Sequence, residues 1–69
     1  MAKYTITGYC FTHAGELTET ATSEKDAMAK AESMKKTVLQ KLRVPRDGSA
    51  IVMVYQGSQN LLRDRVVWP

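Results

Sequence analysis

The chain of 69 residues holds one cysteine, Cys10, and one histidine, His13. A lone thiol closes no internal disulfide, which argues against a disulfide-stapled secreted scaffold and suits a reducing compartment. No second Cys or His is available to complete a zinc site. Gly8, Gly15, Gly48 and Gly57 stand apart from one another, so there is no glycine loop to cradle a phosphate. No apolar run approaches the roughly 20 residues that span a bilayer. Met1-Ala2-Lys3 leads directly into a strand-like segment, and no signal peptide is expected ahead of the fold. These absences imply a cytoplasmic protein with no membrane partner.

Hydrophobic residues make up 43 % and charged residues 25 %, a globular balance. A chain this short is expected to form one domain, residues 1–69. Such a domain buries only about 60 % of its unfolded surface, which leaves little interior for a deep substrate cavity. The formal charge is +3. The excess lies in residues 35–46, where Lys35, Lys36, Lys41, Arg43 and Arg46 stand without an acid.

Residues 4–12 are rich in aromatic and β-branched types and read as a strand. Ala14-Gly15 supplies a turn. Leu17, Glu19 and Ala21 then alternate with Thr18 and Thr20 in a second strand over 16–22. Ser23, three residues before Asp26, reads as a helix start resembling a capping box. Ala27, Ala31, Met34, Val38 and Leu42 form a narrow apolar stripe at helical spacing, which predicts a helix over 24–42. Asp26–Lys30 and Glu32–Lys36 are expected i,i+4 pairs. Val44-Pro45 ends the helix, because the residue before proline favours extended geometry. The unbroken apolar run 50–55 reads as a central strand, Gly57-Ser58-Gln59-Asn60 as a turn, and 61–68 as a fourth strand. The predicted fold is α+β: a β-β-α-β-β order, with a four-stranded antiparallel sheet and one helix packed on one face.

One helix covers one face and leaves the other open. Pairing Gln56 with Leu61 sorts the last hairpin into two sets. Ile51, Met53, Tyr55, Leu62, Val66 and Trp68, with Asp64 among them, are expected under the helix. Ala50, Val52, Val54, Leu61 and Val67, with Arg63 and Arg65, are expected on the open face. Contiguous exposed apolar surface on a small protein marks an interaction site.

Catalysis is not expected, and no cofactor or metal is implied. Cys10 and His13 lie three apart at the end of a strand, on opposite faces if that strand is regular. Glu16 and Glu19 lie on opposite sides of another, while Glu24, Asp26 and Glu32 suit a helix start and its ion pairs. The cations of 35–46 complement a helix C-terminus or contact phosphates or an acidic protein. Tyr4, Tyr9 and Phe11 have the chemistry to stack on bases, yet no aromatic is interleaved with the arginines in sequence. Met28, Met34 and Met53 read as core fillers.

The strand 4–11, the Ala/Met-rich helix 23–42 and the closing strands 50–55 and 62–68 give an outline over nearly the whole chain. That outline resembles small phage-encoded proteins that block host machinery, including inhibitors of CRISPR–Cas complexes. It matches no signature motif, so no functional residue is carried over. The resemblance implies stoichiometric binding without chemistry.

The expected function is therefore a non-enzymatic binding module that occupies a macromolecular surface, with a phage or mobile-element inhibitor as its most specific version and a protein as the leading partner. Arg63 and Arg65 are the expected anchors, Val52 and Val54 the apolar floor, and Lys36, Arg43 and Arg46 a secondary cationic patch. The alternatives are a small basic nucleic-acid-binding protein and an obligate homodimer that hides the open face.

Overall fold

A computed structural model describes residues 3–10 and 15–69. Phe11 and His13, and with them the turn and the Cys10–His13 relation considered above, lie outside the described residues. Strands β1 (Tyr4–Tyr9) and β2 (Glu16–Ala21) precede helix α1 (Glu24–Lys41), and strands β3 (Ser49–Gln56) and β4 (Gln59–Val67) follow. The sheet order is β2-β1-β3-β4, and every neighbouring pair is antiparallel. This is the expected α+β architecture.

The helix begins where the sequence placed it. Ser23 is extended, and its Oγ accepts a hydrogen bond from the Asp26 N–H at 3.2 Å, which satisfies one of the open amides of the first turn. The reciprocal half of a capping box is not made; the Asp26 carboxylate lies 3.5 Å from Lys30 Nζ instead. Lys30 also donates to the Thr20 carbonyl at 2.6 Å, fastening α1 to β2. Glu32 pairs with Lys35 at 3.0 Å rather than with Lys36.

The helix ends in a Schellman arrangement. The Arg43 N–H bonds the Gln40 carbonyl at 3.1 Å, and the Val44 N–H bonds the Leu39 carbonyl at 2.9 Å. Leu39 and Val44 are both buried, supplying the apolar contact that accompanies this motif. Arg43 sits at φ 53, the left-handed position that glycine fills most readily. Arg43→Gly is expected to raise stability by about 0.5–1 kcal/mol, since relief of left-handed strain exceeds the entropy cost of glycine. A chemical-denaturation midpoint shifted upward at unchanged slope is the expected reading; a lower midpoint contradicts it.

The core lies between α1 and the central strands. Ala27, Ala31, Met34, Val38 and Leu39 of α1 are buried together with Ile6, Ala50, Val52 and Val54. Small residues bring α1 close to β1. A Cβ at Gly8 would stand 2.9 Å from Met34 Sδ and 3.1 Å from Val38 Cγ2, so a larger residue there would have to displace these buried helix side chains.

This core corrects the sequence reading of the last hairpin. Val52 and Val54 are fully buried, at 0 % exposure, so they form no floor for an open face. The register explains the inversion. Gln56 pairs with Gln59 around a two-residue Gly57-Ser58 turn, with Gly57 at φ 61, and a bulge follows between Val54 and Tyr55. The expected pairing of Gln56 with Leu61 is off by one along the rest of the hairpin, where Val54 meets Leu62 and Val52 meets Asp64. A one-residue slip exchanges the faces of a whole strand. Beyond the bulge the division of β4 stands, with Leu62, Asp64 and Val66 opposite the helix-facing residues of β3, but Leu61, expected on the open face, packs against the core instead.

Candidate functional site: the helix-free face of the sheet

Strand pairing lays the helix-free face out as a grid. One row runs Glu16, Tyr9, Ile51, Arg65 across β2, β1, β3 and β4. The next row is Thr18, Thr7, Met53, Arg63. A third brings Thr20, Thr5 and Tyr55 together, with Asn60 beyond the bulge. The β2 side is thus rich in hydroxyls, the middle is half-apolar, and the β4 rim is cationic. Thr5, Thr7, Tyr9, Met53 and Tyr55 are half-buried, Ile51 is buried at 8 % exposure, and Arg63 and Arg65 are exposed.

The arginines appear on this face because β4 alternates. Asp64, between them, points to the helix side and forms an ion pair with Lys35, which also bonds Glu32 at 3.0 Å. The acid that interrupts the apolar set of β4 is thereby matched by a helix cation. Among the described residues, Arg63 and Arg65 form no ion pair or hydrogen bond.

Lys35 is consequently withdrawn from the basic stretch. Its ammonium is held above its ordinary pKa of 10.5, first by the hydrogen bond to Asp64 and then by that to Glu32, against a smaller opposing effect of desolvation. A raised native pKa means that the stabilisation is fully present below pH 10.5 and is lost as pH rises through the native value. Lys35→Met is expected to melt below the wild type at neutral pH, and the gap is expected to close as pH climbs past 10.5. A gap that stays constant over that range contradicts the assignment.

The other cations do not join the open face. Lys36 is exposed on α1, across the sheet from Arg63 and Arg65, and Arg43 is exposed in the turn after α1. The Arg46 guanidinium lies 5.2 Å from the Trp68 ring centroid, and Trp68 Nε1 donates to the Val44 carbonyl at 2.9 Å. Arg46 is thus held by a cation–π contact. The cations of α1 and its following turn are thus separate from the arginines of β4.

On the helix side, a groove of about 280 Å³ runs between β2 and α1, lined by Leu17, Glu19, Met34, Thr37 and Lys41 among others. Its carboxylate and ammonium are not joined by an ion pair. Among the described residues, no three His, Cys, Asp or Glu side chains gather into a metal-holding group, and no helix is long and apolar enough to cross a membrane.

Tyr55, expected under the helix with Ile51 and Met53, lies with them on the helix-free face, which Tyr9 shares. Tyr55 Oη donates to Met53 Sδ at 3.3 Å, so the ring lies along its strand on the face that carries the arginines. Tyr4, grouped with Tyr9 in the sequence reading, is buried in the core instead. The signal available in sequence was the alternation of Ile6 with Thr5 and Thr7, which fixes the side that Tyr9 takes. Compared with known proteins, the chain matches no family model, no curated protein and no solved structure.

Proposed function

We propose that this protein is a non-enzymatic binding module that occupies a macromolecular surface with the helix-free face of its sheet. The observation that carries this reading is the pair Arg63 and Arg65, exposed side by side with no internal partner among the described residues. Lys35–Asp64 and Asp26–Lys30, by contrast, are joined as ion pairs. Arg63 and Arg65 act as anchors, and the accessible apolar surface beside them is Met53 and Val67 rather than Val52 and Val54. Lys36, Arg43 and Arg46 form a secondary patch that steers approach from a distance. The size and the β-β-α-β-β outline favour a narrower version, an inhibitor carried by a phage or other mobile element that blocks a host or defence complex.

A photo-crosslinker placed at Thr7, central on the open face, is expected to trap the partner in an extract of the native host. The same group at Ala29, exposed on α1, is expected to trap nothing. Crosslinks from Ala29 alone overturn the proposal.

One observation favours a second copy of the chain as the occupant. Glu16 and Arg65 lie at opposite ends of one row, so a two-fold axis along the strands would set each over the other's partner. Sedimentation at micromolar concentration separates the readings: a monomer excludes the self-paired form.

A further inference from the structure

The open face is poor in what a protein partner wants. Stable protein interfaces desolvate an apolar centre. Here Ile51 is already closed by the chain at 8 % exposure, and among the described residues the one large hydrophobic left well exposed is Val67, at 54 %. What the face presents is two phenol rings, threonine hydroxyls and two guanidinium groups, with the Glu16 carboxylate at the β2 end of the Tyr9 row and Met53 and Val67 as its accessible apolar groups.

Their arrangement is specific. Tyr9 lies in the row of Arg65, and Tyr55 lies on β3 next to the row of Arg63. With strands about 4.8 Å apart and residues rising about 3.3 Å, the two tyrosines sit about 14 Å apart along a diagonal of the sheet. Tyr55 reaches Met53, two residues away on the same strand, by a 3.3 Å hydrogen bond. That reach turns the ring back along its own strand on the helix-free face. A ring so placed is a stacking platform. The arginines run along one side of both rings, as a phosphate-tracking rim requires.

We propose that this face binds single-stranded nucleic acid, with bases stacked on Tyr9 and Tyr55 and phosphates held by Arg63 and Arg65. This rests on the open-face reading above and names its occupant. Unpaired bases are required, because a duplex keeps its base faces stacked internally. The net charge of +3 favours a polyanion. Threonine hydroxyls at Thr5 and Thr7 are placed to meet sugar or phosphate oxygens.

The test is fluorescence anisotropy of the full chain with labelled oligothymidine, oligouridine and a mixed-sequence duplex, at about 50 and 200 mM salt. Both single strands are expected to bind more tightly than the duplex, and the two arms compare DNA with RNA. Arg63→Gln with Arg65→Gln is expected to lower the salt slope by about 1.4, at about 0.7 per phosphate contact on a single strand. Tyr9→Leu and Tyr55→Leu are each expected to weaken binding roughly tenfold without changing that slope. In the unmodified protein, the ring protons of both tyrosines are expected to shift upfield on adding oligonucleotide, which reads stacking even if a leucine variant unfolds. Absence of single-strand binding at about 50 mM salt overturns the proposal, as does equal binding of duplex with unshifted tyrosine rings. So does loss through Lys36→Gln and Arg43→Gln alone. If oligonucleotides fail while Thr7 still crosslinks a protein in nuclease-treated extract, the nucleic-acid proposal falls and the open-face reading stands. If Thr7 crosslinks nothing as well, both fall.

Discussion

Val54→Asp is expected to unfold the domain, whereas Met53→Asp, one residue away, leaves it folded. Val54 has no exposed surface and pairs with Ile6 on the side covered by α1. A carboxylate there has no cation among its strand partners, Ile6 and Leu62, and an unpaired buried charge costs several kcal/mol. The whole stability of so small a domain is about 5 kcal/mol. Met53 is half-buried on the other face and stands directly opposite Arg63. An aspartate at that position gains a cross-strand partner of about 0.2–1 kcal/mol, which offsets part of the lost apolar contact. Circular dichroism melts of the two variants read the result. The reverse ranking would mean that the faces of β3 are exchanged.

Arg63→Glu combined with Arg65→Glu is expected to weaken partner capture by at least about a hundredfold, with a stability change of about 0.5 kcal/mol or less. Both side chains are exposed and without internal partners among the described residues, so their reversal removes nothing from the fold. At the interface, each reversal replaces an attraction with a like-charge contact if the partner is anionic. Lys36→Glu with Arg43→Glu provides the contrast. Those positions lie on the helix and its following turn, so their reversal is expected to slow association several-fold and leave dissociation unchanged. Dissociation constants for the partner trapped through position 7 decide between the two. A folded Arg63/Arg65 double variant that binds like the wild type removes the anchor assignment.

The elements were legible in the sequence because each carries its own punctuation. Ser23 caps α1, Pro45 follows its end, and the alternation in 16–21 marks β2. The strand order was not legible, since sheet neighbours are chosen by packing rather than by local pattern. The faces of β3 were misread for a related reason. Ala50 to Tyr55 is apolar throughout, so it has no alternation to say which side turns inward. The decision fell on the turn, and a two-residue Gly57-Ser58 hairpin with a bulge shifts the register by one relative to the four-residue turn expected. Arg63 and Arg65 were placed correctly because their own strand alternates apolar with charged residues. Tyr9 and Tyr55 share their face only through the β1–β3 pairing, which joins residues more than forty apart in the chain. Sequence proximity to the arginines therefore does not show which aromatics share their face. The basic stretch 35–46 was read as one feature, yet tertiary contacts divide it: Lys35 goes to Asp64, Arg46 goes to Trp68, and Lys36 and Arg43 remain exposed.

Oxidative footprinting compares the two sides of the molecule in one spectrum, because a half-buried methionine reports from each. Met53 lies on the helix-free face and Met28 on α1. On adding the partner, labelling of Met53 and Tyr55 is expected to fall several-fold while labelling of Met28 stays as in the free chain. Protection of Met28 with Met53 unchanged would place the bound macromolecule on the helix and contradict the account.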